Sequence, residues 1–168
     1  LDVPLGILKL AVPVKEDYNG GQKLIELIEK PLWTITGKCA KDTLIPDLVS
    51  ICKVNDQHQF IIFDAKYYNA HLEKGIVPTG QPGIESITKQ YLYQLAYQQF
   101  IEDHNFSSVK NCFLLPTENN EIEDKGEVRM EMLSNLGLQD IKIRLIPATM
   151  AYDLYLSGSK MDMERLDL

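Results

Sequence analysis

The stretch IPDLVSICKVNDQHQFIIFDAKYY, residues 45–68, decides how this chain folds. Leu44 to Lys53 is short and rich in β-branched residues, Asn55-Asp56 is a turn pair, and Gln59 to Tyr67 runs apolar again. That is the pattern of a β-hairpin. With the turn centred on Asn55-Asp56, antiparallel pairing sets Asp47 directly opposite Asp64. Residues two apart on a strand share a face, so Asp64 and Lys66 project with Phe60 and Ile62. Directly opposed side chains lie roughly 5 Å apart, and like charges there repel. Two aspartates so placed call for a cation between them. A magnesium ion with oxygen ligands is the simplest candidate, with Lys66 as a second positive charge beside it. The charged triplet also ends a strongly apolar strand, Phe60-Ile61-Ile62-Phe63, where solvated charges are out of place.

Working outward, Leu1 to Val14 is apolar but interrupted by Pro4, Gly6 and Pro13, and reads as irregular or short strand. Asn19-Gly20-Gly21 is a breaker; Leu24, Ile25, Leu27 and Ile28, with Glu26 and Glu29 between them, predict an amphipathic helix stopped by Pro31. Downstream of the hairpin, Asn69 to Gly83 is too rich in Gly and Pro to form an element. Ile84 to Ile101 lacks both residues and predicts the longest helix. Asn111 to Leu115 is a buried strand closed by Pro116, residues 117–128 an acidic loop, and Glu131 to Leu136 a short helix ended by Gly137. Ile141 to Ile146 is a strand, and Thr149 caps a last helix through Leu156, ended by Gly158. The order predicts an α/β fold, a mixed central β-sheet flanked by helices.

The 168 residues, of which 45% are apolar, make one domain with a real core. A charged content of 24% excludes wholesale disorder. No apolar run reaches the roughly 18 residues of a membrane span and no signal peptide opens the chain, so a cytoplasmic protein without a membrane is expected. The first residue is Leu1 rather than Met, the expectation being a C-terminal fragment of a longer protein. Cys39, Cys52 and Cys112 are odd in number and lack C-x-x-C spacing, and read as buried reduced thiols. The net charge of −7 argues against a free-standing nucleic-acid binder. The acidity concentrates towards the C-terminus, in Glu118, Glu121, Glu123, Asp124 and Glu127, read as a solvated loop. Lys38, Lys41, Lys74 and Lys89 flank the motif segments and form a local basic rim. His58, His71 and His104 sit at no metal-ligand spacing. A Gly-rich phosphate loop and a G-x-S-x-G are both missing from the sequence, so covalent nucleophilic catalysis has no footing.

Gln90, Tyr93, Gln94 and Tyr97 fall on one stripe of the long helix, where a core face would carry Leu and Ile. Aligned amides and phenols suit the wall of a polar cleft. Pro46-Asp47 followed by Asp64-Ala65-Lys66 resembles the PD-(D/E)xK nuclease motif. "FDAKYY" (Phe63 to Tyr68) and "KQYLYQLAY" (Lys89 to Tyr97) are similar to LlaJI-type restriction endonucleases and, more loosely, to McrC-like nuclease subunits, over a core of about residues 22–156. The resemblance implies a restriction-endonuclease-like core acting as a metal-dependent deoxyribonuclease of a type II-like restriction system. Its substrate would be double-stranded DNA, its products 5′-phosphate ends, and its ion Mg²⁺, with Mn²⁺ able to substitute. A separate DNA-recognition domain would lie outside this fragment, with a homodimer as one arrangement. The site would comprise Asp47, Asp64 and the Ala65 carbonyl on the metal, and Lys66 on the attacking water. Gln94 (or Gln90) and an acidic residue of the first helix, Glu26 (or Glu29), would complete it. A RecB-like or junction-resolving repair nuclease, and a non-catalytic DNA-binding or assembly module, are the alternatives.

Overall fold

The computed structural model describes residues 23–54 and 57–168. The expectations for Leu1 to Val14, for Asn19-Gly20-Gly21 and for the Asn55-Asp56 turn lie outside the described residues. A single 3₁₀ turn, Leu24–Leu27, stands where an amphipathic helix was expected. Its C-cap, Ile28, is already extended, and Pro31 biases the residue before it away from helical geometry. Leu24 and Ile28 still bury their side chains in the core. A two-stranded ribbon absent from the sequence expectations follows, β1 (Leu32–Trp33) and β2 (Lys38–Cys39).

β3 (Leu48–Val54) and β4 (Gln57–Ala65) pair antiparallel in the expected register, from Leu48 opposite Phe63 to Val54 opposite Gln57. A loop leads to α1 (Ile84–Asp103), which crosses over to β5 (Ser108–Thr117), parallel to β4. Gly80 in that loop has φ +64°, and a Cβ there would meet the Asn69 carbonyl oxygen at 2.3 Å, so only glycine permits the close approach. β6 (Glu123–Val128), a 3₁₀ helix at Glu131–Leu136, β7 (Ile141–Pro147), α2 (Ala148–Ser157) and a final 3₁₀ turn at Met163–Leu166 complete the chain. The five-stranded sheet has the order β3-β4-β5-β7-β6, parallel in the middle and antiparallel at both edges. This is the expected α/β class with a mixed central sheet.

The two faces sort by strand parity. Phe60 and Ile62 pack with Tyr93, Tyr97, Phe100 and Leu24 on the α1 face. Ile61, Phe63, Cys112 and Leu166 pack on the other, where the buried Arg144 donates from Nε to the Leu166 carbonyl at 2.6 Å and pairs with Asp124.

Three further expectations are corrected. Residues 117–128 are not wholly loop: Glu123, Asp124 and Glu127 lie on an edge strand, where Lys125, Arg144 and Lys142 pair with them. A charged edge strand resists pairing with another chain. Pro116 does not close β5 but lies within it, paired with Ile146. Its missing N–H falls on the β4 side, beyond the last bond there, from Lys66 N–H to the Leu114 carbonyl, where no ladder partner waits for a donor. Thr149 sits inside α2, whose N-cap is Pro147. The helix endings at Gly137 and Gly158 stand as expected.

Among the cysteines only Cys112 is fully buried, and burial pushes its thiol up to about 12; Cys39 is exposed rather than buried. His58 lies on β4 rather than in the turn, and His104 is buried at the end of α1 with Nδ1 2.6 Å from the Phe100 carbonyl.

Candidate active site

The ladder of β3 and β4 ends at Leu48 and Phe63. The next donor on that side of β4 is the Ala65 N–H, and in place of a backbone carbonyl it donates to Asp47 Oδ2 at 2.8 Å. Buried Pro46 anchors the approach to Asp47, which is itself exposed. In an extended strand the N–H and C=O of one residue leave on the same side, so the Ala65 carbonyl also faces the Asp47 edge. Asp64 lies one residue back, only 3% exposed, on the α1 face. Its neighbour across the missing rung is Asp47, and the two carboxyls interact through space.

Lys66, on the same side of the strand as Asp64, sets its ammonium against Asp64 Oδ2. The pairing is a close ion contact without a directed hydrogen bond, so Oδ2 has no aligned donor. Desolvation, the largest influence, raises the Asp64 pKa; Lys66 opposes this and the Asp47 carboxylate adds to it, and the net direction is up. A buried carboxyl displaced upwards beside a second carboxylate makes this cluster a candidate functional site.

Three residues of α1 reach the same region. Tyr93 is buried and its phenol pKa is raised, first by burial and then by the charges of Asp64 and Asp47. Lys89 pairs with Glu85 at 2.7 Å, an i,i+4 bridge, and feels both Asp64 and Tyr93. Glu85 in turn feels Lys66. Glu85, Lys89 and Tyr93 recur every four residues, which puts them on one helical face. Sequence reasoning picked out Lys89 and Tyr93 separately and missed Glu85, although the spacing of the three was available to find it.

The structure thus brings together Asp47, Asp64, Ala65 and Lys66. Among the described residues no hydrogen bond or ion pair joins Glu26 or Gln94 to them. Glu26 Oε2 accepts from the Lys23 N–H of its own 3₁₀ turn at 3.0 Å. Gln94 Oε1 accepts from Asn111 Nδ2 at 2.6 Å and from the Gln139 N–H at 3.0 Å. Gln90 Nε2 donates to the Ile62 carbonyl at 2.9 Å and to Asn111 Oδ1 at 3.3 Å. The amides therefore form a buried network between α1, β4 and β5 that substitutes for apolar packing at the centre of the sheet. Gln94→Ala is expected to lose about 1–3 kcal/mol of unfolding free energy, since the Gln139 N–H loses its acceptor and Asn111 Nδ2 keeps only the Gln139 carbonyl. Denaturant melts check this; wild-type stability with lost cleavage would instead assign Gln94 to chemistry.

A cleft of about 630 Å³ lies elsewhere, between the loop around Leu72 to Pro82 and residues of β6 and β7. It contains none of the four clustered residues.

A mixed sheet with an apposed acid pair and a lysine at the end of its first long hairpin defines a restriction-endonuclease-like α/β core. The chain belongs to the LlaJI restriction endonuclease family, whose model matches residues 17–154. It is 30% identical over 158 residues to the Type II restriction enzyme BsuMI component YdjA of Bacillus subtilis (strain 168), covering 90% of this chain and 32% of that protein. The chain therefore spans about a third of the length of that curated relative. No solved structure matches it. The resemblance carried by Phe63–Tyr68 and Lys89–Tyr97 is borne out at the level of the family. Among the described residues no helix is long and apolar enough to cross a membrane.

Proposed function

We propose that this chain is the metal-dependent nuclease domain of a restriction system, with a site of the PD-(D/E)xK kind that hydrolyses double-stranded DNA to leave 5′-phosphate ends. The observation that carries the reading is the bond from Ala65 N–H to Asp47 Oδ2 beside the buried Asp64–Lys66 pair. The donor set fits a hard divalent cation: a buried Asp64 oxygen without an aligned donor, a second carboxylate beside it and the Ala65 carbonyl on the same edge. Among the described residues no three His, Cys, Asp or Glu side chains gather as a metal cluster. The protein would thus supply only two carboxylates and a carbonyl, and Mg²⁺, which retains several waters, suits so sparse a cage; Mn²⁺ would substitute. When bound, such an ion polarises the phosphate and acidifies a water.

The chain's own groups do the rest. Asp47 and Asp64 would hold the ion, whose charge would offset theirs as the phosphate approaches. Lys66 orients the attacking water and offsets charge developing on phosphorus. Tyr93 closes the α1 side of the site, and the Glu85–Lys89 bridge lines its mouth. Sequence recognition would rest with a domain outside these residues, or with a homodimer, in a cytoplasmic restriction complex.

Two measurements test the reading. Supercoiled plasmid incubated with the protein and Mg²⁺ is expected to give nicked and linear products that a DNA ligase reseals, and EDTA to stop the reaction. Resealing requires 5′-phosphates, so products that need prior phosphorylation, or cutting that persists in EDTA, would overturn it. Binding to random duplex is expected to be weak at physiological salt and to strengthen steeply on dilution, with a log–log slope of about −0.9 per neutralised phosphate. Tight, sequence-selective binding by residues 1–168 would place recognition in this domain instead.

A further inference from the structure

β1 and β2 form a ribbon that packs on no other element among the described residues. From Glu29 to Cys39 every residue is exposed, and the ribbon is closed at its base by Ala40 N–H to the Pro31 carbonyl at 2.7 Å and Thr43 Oγ1 to the Glu29 carbonyl at 2.6 Å. Its tip carries large apolar side chains in water: Leu32, Trp33, 63% exposed, and Ile35, 94% exposed. A short ribbon gains nothing by displaying these, because exposed apolar surface costs free energy that burial would recover. Its charge is locally positive: residues 29–42 carry Lys30, Lys38 and Lys41 against Glu29 and Asp42, in a chain whose net charge is −7. None of the three lysines is in an ion pair with another described residue. The ribbon also leads within a few residues to buried Pro46 and then to Asp47.

The geometry points to the β1–β2 ribbon as a DNA-contacting arm that seats the duplex beside the acid pair. Lys30, Lys38 and Lys41 take backbone phosphates, and Trp33 and Ile35 reach base edges in the groove. The inference rests on the nuclease reading and names what engages its substrate. Charge complementarity selects DNA as the occupant: a protein partner would be offered the same apolar tip, but a ribbon with a net positive charge in an acidic chain fits a polyanion. A two-stranded ribbon has the width that a major groove admits, and apolar side chains there meet thymine methyl groups.

Trp33 is the one tryptophan in the chain, so its emission reports on the tip alone. The 168-residue protein is titrated with a fluorescein-labelled duplex in Ca²⁺ at low salt, following label anisotropy and Trp33 emission together. Trp33 emission is expected to shift over the same concentration range as the anisotropy rises. A second protein with Lys30, Lys38 and Lys41 changed to Ala is expected to bind with a salt slope shallower by about 0.9 for each phosphate that no lysine neutralises any more. Its Mg²⁺-induced rise in melting temperature should be unchanged, because no ligand has been touched. Anisotropy that saturates while Trp33 emission stays still, with the salt slope unaltered, would overturn the arm and leave the nuclease reading standing. An emission shift that follows protein concentration in the absence of DNA would also overturn it, making the ribbon an interface between copies. If the wild-type protein fails to bind any duplex, both this inference and the nuclease reading fall.

Discussion

Asp64→Ala is expected to abolish cleavage while leaving a folded protein that melts no lower than wild type in EDTA. The loss should be at least about a thousandfold, since an ion's stabilisation of the transition state is worth several kcal/mol and each tenfold costs about 1.4. Stability moves the other way because Asp64 is strained in its metal-free state. Desolvation, reinforced by Asp47, raises its folded pKa above that of an unfolded aspartate. A carboxyl with a raised folded pKa contributes stability below the unfolded value, about 3.9, and loses that contribution as pH rises through the folded pKa. Metal-free wild type is therefore expected to weaken as pH climbs from about 4 through the raised pKa of Asp64, and the Ala variant to lack that limb. Adding Mg²⁺ reverses the order. At a hundredfold excess over its dissociation constant, a ligand bound only by the native state adds about 2.7 kcal/mol. Wild type should gain it and Asp64→Ala should not. Thermal melts across pH, with Mg²⁺ and with EDTA, read both effects without an activity assay. A folded Asp64→Ala protein that cuts DNA at a near wild-type rate would sink the site.

Lys66→Ala is expected to cut DNA about a hundredfold to a thousandfold more slowly, the scale seen when one preorganised charge-stabilising group is removed, and still to bind Mg²⁺. A protonated lysine cannot ligate the ion; its contribution falls on the water and the transition state. Its removal has one further consequence, with a definite sign. The ammonium of Lys66 against the carboxylate lowers the Asp64 pKa, so without it the pKa of Asp64 rises further. Mg²⁺ must then displace a proton over a wider range, and the pH above which Mg²⁺ raises the melting temperature should move upward. Isothermal titration with Mg²⁺ at several pH values measures that displacement. If Lys66→Ala lost Mg²⁺ binding as completely as Asp47→Ala at every pH, the division of roles between ligands and lysine would be wrong.

The acid pair was legible because two local signals coincide. A two-residue turn and the side-chain period of two pin the register of a hairpin, so Leu48 opposite Phe63 follows from the sequence and puts Asp47 at the next rung beside Asp64. The bond by which Asp47 replaces the missing rung was not legible. It exists because β3 stops at Leu48 and the Ala65 N–H needs an acceptor. The amide stripe on α1 was seen, but its partners were not. Asn111 and Gln139 meet Gln94 across residues distant in sequence, and no helical periodicity says whether an inward-facing amide meets water or another strand. β6 was read as loop because its charges suggested solvent; the strand exists because β7 offers an open edge and cations at Lys142 and Arg144.

By itself the sequence determined the β3–β4 register, the extent of the long helix, the α/β class and the pairing of Asp47 with Asp64, all of which follow from interactions between residues close in the chain or joined by one tight turn. Only the tertiary structure decided that Asp64 is buried and shifted, that Tyr93 and Lys89 feel its charge, that Gln90 and Gln94 bind Asn111, and that β1 and β2 stand clear of the core. Ionisation, burial and the partner of a buried amide are set by what lies across the sheet. That is fixed by packing between segments the local pattern cannot connect.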